Sequence, residues 1–259
     1  MIEKSISKHL RTAYEKAYPF PHIVIDNFLP EPIATEIYNE LKNNQNWYHD
    51  SEKWVDEFQV NKHFLPGGRK DQVGEIYTSI PKTSLIIDYL NSEDFLTYLQ
   101  DLTGIDKLES DSEYLNGGGV HKIGKGGSLA VHLDYNVHPH TKKYRKINLL
   151  LYLNPNWEKQ WGGNLELWTK NDSHPAASFE PMFNRCVIFT ISPISFHGHP
   201  KPMECPEEIS RYSIALYYFS DEKPEVEHPV IFMNGNLEGA NLEEFSREII
   251  FSTDGFVKR

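Results

Sequence analysis

Between residues 111 and 220 the chain runs as short apolar or alternating segments, LAVHLD, INLLLYLN, GNLELW, RCVIFTI and SIALYYF, separated by Gly, Pro and Asn. Each is strand-sized and rich in β-branched or aromatic residues. Runs this short cannot each close a helix of useful length, and at this spacing they build a β-sandwich or jelly roll. The expectation is a mainly β chain with helical additions (α+β), its core at approximately 111–220.

The flanks supply the additions. FPHIVIDNF, Phe20–Phe28, reads as a first strand, and Leu29-Pro30 closes it. Pro32 then suits a first helical turn, with Ile33, Ile37 and Leu41 at four-residue spacing, so a helix follows. Residues 46–72 hold Trp47, Trp54 and Phe58 among charges and end in Pro66-Gly67-Gly68, with no sustained period. They read as a surface excursion or as a lid over a pocket. SLIIDYLN and SEDFLTYLQDL form two helices packed on the outside, the second started by Ser92, favoured in its first turn by Glu93 and Asp94, and stopped at Gly104. Beyond Asp221, Pro229–Met233 reads as a strand and Leu242–Ile250 as a helix. With 259 residues, 39% apolar and 13% aromatic, one domain spanning 1–259 is expected.

The formal charge of −11 argues against a nucleic-acid partner, because that grip depends on Lys and Arg neutralising phosphates. A small-molecule, peptide or glycan substrate is expected instead. Cys186 and Cys205 are too few for a disulfide-stapled fold. The first twenty residues carry charge every few positions, and no apolar run is long enough to cross a membrane. A cytoplasmic setting with no membrane partner follows; oligomeric state is not legible.

The stretch GGGVHKIGKGGSLAVHLD, Gly117–Asp134, supports two chemistries. Gly119, Gly124 and Lys125 fit part of a phosphate-cradling loop, but Gly126 stands where a hydroxyl is needed and a strand-like SLAVHLD follows instead of a helix. The other chemistry is a metal site. Strand residues two apart share a face, so His132 and Asp134 can both address one ion. A second His is needed on another strand, and His197 in FTISPISFHGHP is placed for it. Two His and one carboxylate occupy one face of Fe(II) and leave the opposite positions open. Arg211, with Ser213 on the same strand face, opens the aromatic strand RYSIALYYF; an Arg buried there needs a carboxylate partner, from the protein or from a ligand.

In order, HLD, RKINLLLYLNPNWEKQWGGNLELW, NRCVIFTISPISFHGHP and RYSIALYYF resemble the iron(II)/2-oxoglutarate dioxygenases of the prolyl 4-hydroxylase type. HIVIDNFLPEPIATEIYNEL is a weaker echo. The resemblance implies a double-stranded β-helix (jelly-roll, cupin-like) core, with His132, Asp134 and His197 as iron ligands. It implies Arg211 on the distal carboxylate of 2-oxoglutarate, helped by Ser213 and Tyr152, and a tight backbone turn at Gly162–Asn164. The implied activity is hydroxylation of an unactivated C–H bond, of peptidyl proline or a related substrate, with 2-oxoglutarate converted to succinate. Iron(II), 2-oxoglutarate and dioxygen are the implied cofactor and co-substrates, with ascorbate a further candidate; the carboxylate at Asp134 favours hydroxylation over halogenation.

Two features depart from the family. Arg211 follows His197 by 14 positions, across KPMECPEE, which leaves Lys201 as an alternative base. Upstream, His121-Lys122-Ile123 stands where a Tyr is common in the family. His138, His140 and His199 are open to two readings, contact with substrate or, the one expected, solvent-exposed loop residues. The same chemistry on a free amino acid, sugar or glycan precursor stays open, as does a non-enzymatic jelly-roll binding module.

Overall fold

A computed structural model of the chain describes residues 8–49, 59–65, 78–170, 173–233, 249–252 and 255–258. In chain order, α1 (Lys8–Lys16) precedes β1 (His22–Ile25) and α2 (Glu31–Asn43), then β2 (Tyr48–His49) and β3 (Gln59–Phe64). Next come α3 (Pro81–Leu90), α4 (Glu93–Thr103) and β4 (Glu109–Ser110). The later strands are β5 (Gly119–Leu133), β6 (Tyr144–Tyr152), β7 (Leu165–Trp168), β8 (Ala177–Phe179), β9 (Arg185–Thr190), β10 (Phe196–His199), β11 (Arg211–Ser220) and β12 (Ile231–Phe232). β13 (Ile249–Ser252) and β14 (Gly255–Lys258) pair with each other.

β1 to β12 join one antiparallel sheet, whose main path runs β1-β9-β6-β11-β5-β10-β7-β8. The long β5 makes it curl. Its first part, Gly119–Ile123, pairs with β11, while Leu129–Leu133 pairs with β10 and β12, and β3 lies along it as well. One strand thus belongs to both layers, and the chain is mainly β with four helices among the described residues.

Alternation along each strand divides the sheet into two chemically distinct faces. On the outer face, Leu149, Leu151, Ile188, Ile214, Leu216 and Tyr218 share one apolar core with Ile37 and Leu41 of α2, Ile87 and Leu90 of α3, and Phe95, Leu99 and Leu102 of α4. The inner face carries the alternate residues, among them Asn148 and Tyr152 of β6 and Arg211 and Ser213 of β11. Helices pack outside, as their amphipathic patterns require.

Several local expectations hold and several are refined. Ser92 caps α4 by accepting the Phe95 N–H at 3.4 Å, and Gly104 ends it in the left-handed region at φ 73°. α2 buries Ala34, Ile37 and Leu41, not Ile33, which is 38% exposed. A helix turns 100° per residue, so a strict four-residue row drifts off the core and Ala34 takes the inward place. α1 forms in a segment too polar to announce it, anchored by Tyr14, whose hydroxyl lies 2.5 Å from the Thr190 hydroxyl.

The Gly-rich stretch forms the first half of β5, and Lys125 pairs at 3.1 Å with Glu207. Gly127 is required because a Cβ there would sit 2.8 Å from the Gly124 carbonyl and 3.0 Å from that of Val60 on β3. Part of the excursion at 46–72 is sheet, since Tyr48–His49 and Gln59–Phe64 pair; Trp54, Phe58 and Pro66–Gly68 lie outside the described residues. Most of the helix expected at Leu242–Ile250 also lies outside them, and Ile249 and Ile250 are in β13. No described helix is long and apolar enough to cross a membrane.

Phe95 is fully buried and meets the rings of Phe28, Tyr89, Tyr98 and Tyr218 at 5.4–6.3 Å. Urea unfolding should show Phe95→Ala losing about 3–5 kcal/mol, against about 1 kcal/mol for removing the cap in Ser92→Ala. Equal losses would contradict this placement of the core.

Candidate metal centre and adjoining pocket

His132 on β5 lies directly opposite His197 on β10, and Asp134 follows His132 by two residues, just past the end of β5. His132 Nε2 is 3.5 Å from Asp134 Oδ1, and His197 Nε2 is 3.3 Å from Asp134 Oδ2. All three side chains are buried, and each offers a ligand atom within 4.8 Å of the others. Gly198 allows the approach of β10 to β5, because a Cβ there would stand 2.8 and 2.9 Å from the Leu129 and Ala130 carbonyl oxygens.

Hydrogen bonding assigns the ring protons. Nδ1 of His132 lies 2.9 Å from the Ala130 carbonyl, and Nδ1 of His197 lies 3.0 Å from the Ser195 carbonyl. A carbonyl only accepts, so each Nδ1 carries a hydrogen and each ring turns its Nε2 toward the Asp134 oxygens. Burial, and then His197 alongside, hold His132 below the usual imidazole range. Two imidazole nitrogens and a carboxylate converging on one point form a donor set that suits a divalent metal with open positions.

Asp134 has its own support. Burial would raise its carboxyl, yet Arg145 and the two imidazoles hold it well below the usual carboxylate range. Arg145 Nη2 lies 3.0 Å from Oδ2, and Asn148 Nδ2 donates to the same oxygen at 2.7 Å. Arg145 Nε in turn donates to Asn148 Oδ1 at 2.8 Å, and the guanidinium rests on the Tyr217 ring. A bulge makes this possible. Ile147 pairs with Tyr218 and Arg145 with Phe219, so Lys146 is an extra residue on β6, and Arg145 is re-aimed to the face that Asn148 occupies. Neither residue is evident from the sequence, although an Arg opening an apolar run and a lone Asn inside INLLLYL were the available signals.

On the inner face beside the triad, Arg211 is 5% exposed. Its Nε donates to the Gly163 carbonyl at 2.8 Å and its Nη2 to the Tyr152 hydroxyl at 3.2 Å. No carboxylate pairs with it among the described residues, so the protein ion pair is absent there. Gly163 serves twice: it adopts φ 72°, and a Cβ on it would meet Met203 Sδ at 2.6 Å and Arg211 Cδ at 3.3 Å. Lys201, the alternative base, is exposed.

Strand register brings more polar groups to this pocket. Lys62 of β3, Ile123 of β5 and Arg211 of β11 form one cross-strand row, and Phe64, His121, Ser213 and Tyr152 form the next. Burial pushes the Lys62 ammonium down to about 8, Asp134 opposing the shift and Arg211 adding to it. His121 and His199 sit well below the usual imidazole range, first through burial and then through the nearby Lys62 and Arg211 charges.

His138 and His199 are therefore not exposed loop residues; they are 1% and 3% exposed, while His140 does face solvent. His138 Nδ1 accepts the backbone N–H groups of His140 and Thr141, which leaves the ring proton on Nε2, 3.1 Å from Asp111 Oδ1. A histidine that organises its own turn is drawn inward. His199 is buried because β10 is a strand, which the polar FHGH does not announce.

Residues 118–219 match the family model of the 2OG-Fe(II) oxygenase superfamily. This segment, with its curled sheet and His-Asp-His group, is similar to 2OG-Fe(II) oxygenase domains. Its similarities extend to prolyl hydroxylases. Over 206 residues the chain is 29% identical to mouse (Mus musculus) prolyl 3-hydroxylase OGFOD1, covering 78% of this chain and 33% of that one, so it spans a third of its relative's length. A Trichoplax adhaerens prolyl hydroxylase, solved with a hypoxia-inducible-factor oxygen-degradation-domain peptide, superposes with TM-score 0.55 at 21% identity, covering 83% of this chain and 89% of that one. HygX from Streptomyces hygroscopicus, solved with nickel and 2-oxoglutarate, gives TM-score 0.56 at 11% identity, covering 92% and 96%. The fold is accordingly the double-stranded β-helix of these neighbours.

In protein stripped of divalent metal, Arg145→Met should leave Asp134 buried without its guanidinium and lower the unfolding free energy by about 3–5 kcal/mol. Because the folded carboxyl is depressed, the stability Asp134 contributes is complete above the ordinary carboxylate value near about 4 and is lost as pH falls below it. Urea unfolding as a function of pH checks both; an Arg145→Met protein with wild-type stability and acid slope would exclude the ion pair.

Proposed function

We propose that the chain is an Fe(II)- and 2-oxoglutarate-dependent dioxygenase that hydroxylates an unactivated C–H bond of a prolyl or proline-like substrate. One observation carries the reading: the buried His-Asp-His group and a buried arginine without a carboxylate partner among the described residues share the inner face of one sheet. The first calls for a cation with open positions. The second calls for an anion, because a desolvated guanidinium is costly without a counter-charge.

His132, Asp134 and His197 would hold the iron. Bound there, iron and 2-oxoglutarate supply the oxidation: with dioxygen, 2-oxoglutarate becomes succinate and carbon dioxide, and one oxygen atom enters the substrate C–H bond. The chain's own residues do the rest. Arg211 grips the distal carboxylate with a charge that does not titrate near neutrality, the Tyr152 hydroxyl orients the guanidinium, and Ser213 lies beside both in the register. Arg145 and Asn148 keep Asp134 ionised and fixed, and the Phe189 ring stands edge-on to His197 at 4.8 Å.

The prolyl assignment rests on the mouse relative's name and on the motif resemblance to 4-hydroxylases, so the hydroxylated carbon is C3 or C4. A peptide is the favoured substrate, as in the Trichoplax complex. We assign residues 1–259 to one domain and the protein to the cytoplasm; the buried free thiols of Cys186 and Cys205 support a reducing compartment.

The test is anaerobic reconstitution with Fe(II), then oxygen, with proline-containing peptides. Succinate and a product heavier by one oxygen atom are expected for wild type and not for His132→Ala, and tandem mass spectrometry with amino-acid standards distinguishes C3 from C4. Metal-independent succinate, or equal amounts from both proteins, would sink the reading. Arg211→Lys should raise the KM for 2-oxoglutarate by about 30-fold or more with an unchanged thermal midpoint; an unchanged KM would remove Arg211 from its role.

A further inference from the structure

His199 is a buried imidazole whose two ring nitrogens both lack a hydrogen-bond partner among the described residues. At 3% exposure this is an uncommon state, since buried polar atoms are nearly always paired. Most other polar groups around the site are satisfied: His132 and His197 through backbone carbonyls, Asp134 through Asn148, Arg211 through Gly163 and Tyr152.

Its position says what the missing partner is. His199 and His197 flank Gly198 on β10, two residues apart, and period two directs them to the same side. Along β5, His199 stands opposite Leu129, between His132, which faces His197, and Ile123, which faces Arg211. It therefore borders the gap between the ends of the pocket, one suited to a metal and the other to a carboxylate. Any ligand that spans the two must pass it. His121, also buried, stands next to Ser213 in the register.

We propose that His199 is a co-substrate-binding residue, its ring N–H donating to a 2-oxo dicarboxylate held between the His132–Asp134–His197 triad and Arg211. This deepens the reading above and rests on it. A neutral imidazole offers one N–H donor and one acceptor without adding charge. A dicarboxylate brings many acceptor oxygens to this wall, whereas an apolar occupant would leave both nitrogens unpaired. Lys62, from the strand inside the 46–72 excursion, places a cation on the same wall.

The experiment measures binding apart from turnover. Wild type and His199→Phe, which keeps a ring and removes both nitrogens, are loaded anaerobically with Fe(II), and metal content and thermal midpoint are checked. Each is titrated with 2-oxoglutarate, following the metal-to-ligand charge-transfer absorption. His199→Phe should retain metal and raise the dissociation constant about tenfold or more, with partial recovery in His199→Gln. A dissociation constant within twofold of wild type would overturn the proposal.

Should His199→Phe not fold, the wild-type protein loaded with Zn(II) and labelled with ¹⁵N-histidine supplies the answer. The His199 ring nitrogens should shift on adding 2-oxoglutarate while those of His138, tied to Asp111, stay put; an unmoved His199 would overturn the assignment. The two levels of the reading fail differently. If wild type forms no metal-dependent complex with 2-oxoglutarate, the function falls and this inference with it. If wild type binds and the His199 readouts are unchanged, only the inference falls.

Discussion

An ionised carboxylate lies buried inside this sheet, and much of the surrounding architecture follows from keeping it charged. Burial alone favours the neutral acid; Arg145, His197 and His132 reverse that preference at Asp134. The guanidinium must then be held in turn. It lies 3.3 Å over the centre of the Tyr217 ring and 5.1 Å from that of Tyr135. Tyr135 accepts from Asn116 Nδ2 and donates to the Asn116 carbonyl, while Tyr217 donates to the Gly117 carbonyl. The loop before β5 is thereby fastened to the residues that fix the carboxylate. A buried ion pair adds little net stability against an apolar replacement, so its value here is geometric: it pins one oxygen atom in place.

The opposite face of the sheet makes this affordable in stability terms. Outward-facing Leu, Ile and Tyr residues of β6, β9 and β11 share an apolar core with the helices, and their burial contributes about 1.5–3 kcal/mol for each large side chain. The inner face has a smaller apolar cluster around Tyr152, Val187, Phe189 and Leu167, and with the outer core supplying much of that term it can also hold Asn, Ser, His, Arg and Lys. The bulge at Lys146 is the one place on β6 where the division is deliberately broken, since it moves Arg145 across to the polar side.

What the sequence makes legible follows the same division. The strands of the core are announced by their apolar runs, and α4 by Ser92 and Gly104, because these signals are local. His132, Asp134 and His197 are legible through strand period and chemical type. Arg145 is not, because its orientation depends on one extra residue in a pairing. Lys62 is illegible for a related reason: its strand shows no period of its own, and only the register with β5 sets it in a row with Ile123 and Arg211. His138 and His199 read as loop residues from their Gly and Pro neighbours, yet one ties a turn together and the other lies on a four-residue strand. Local pattern identifies elements; long-range register decides which side chains meet.

The pocket's charge balance then constrains what it can hold. Beside the triad stand two cations, Arg211 and Lys62, and two imidazoles that burial and those cations keep neutral. Adding a divalent metal to the triad increases the positive charge, with Asp134 already committed to Arg145. A dianion that spans the site offsets charge at both ends. Metal and dianion must therefore strengthen each other's binding by the same factor, as any coupled pair of ligands does. The neutral imidazoles add direction without more charge, so within that pair of ends it is the placement of hydrogen-bond donors that separates one dicarboxylate from another.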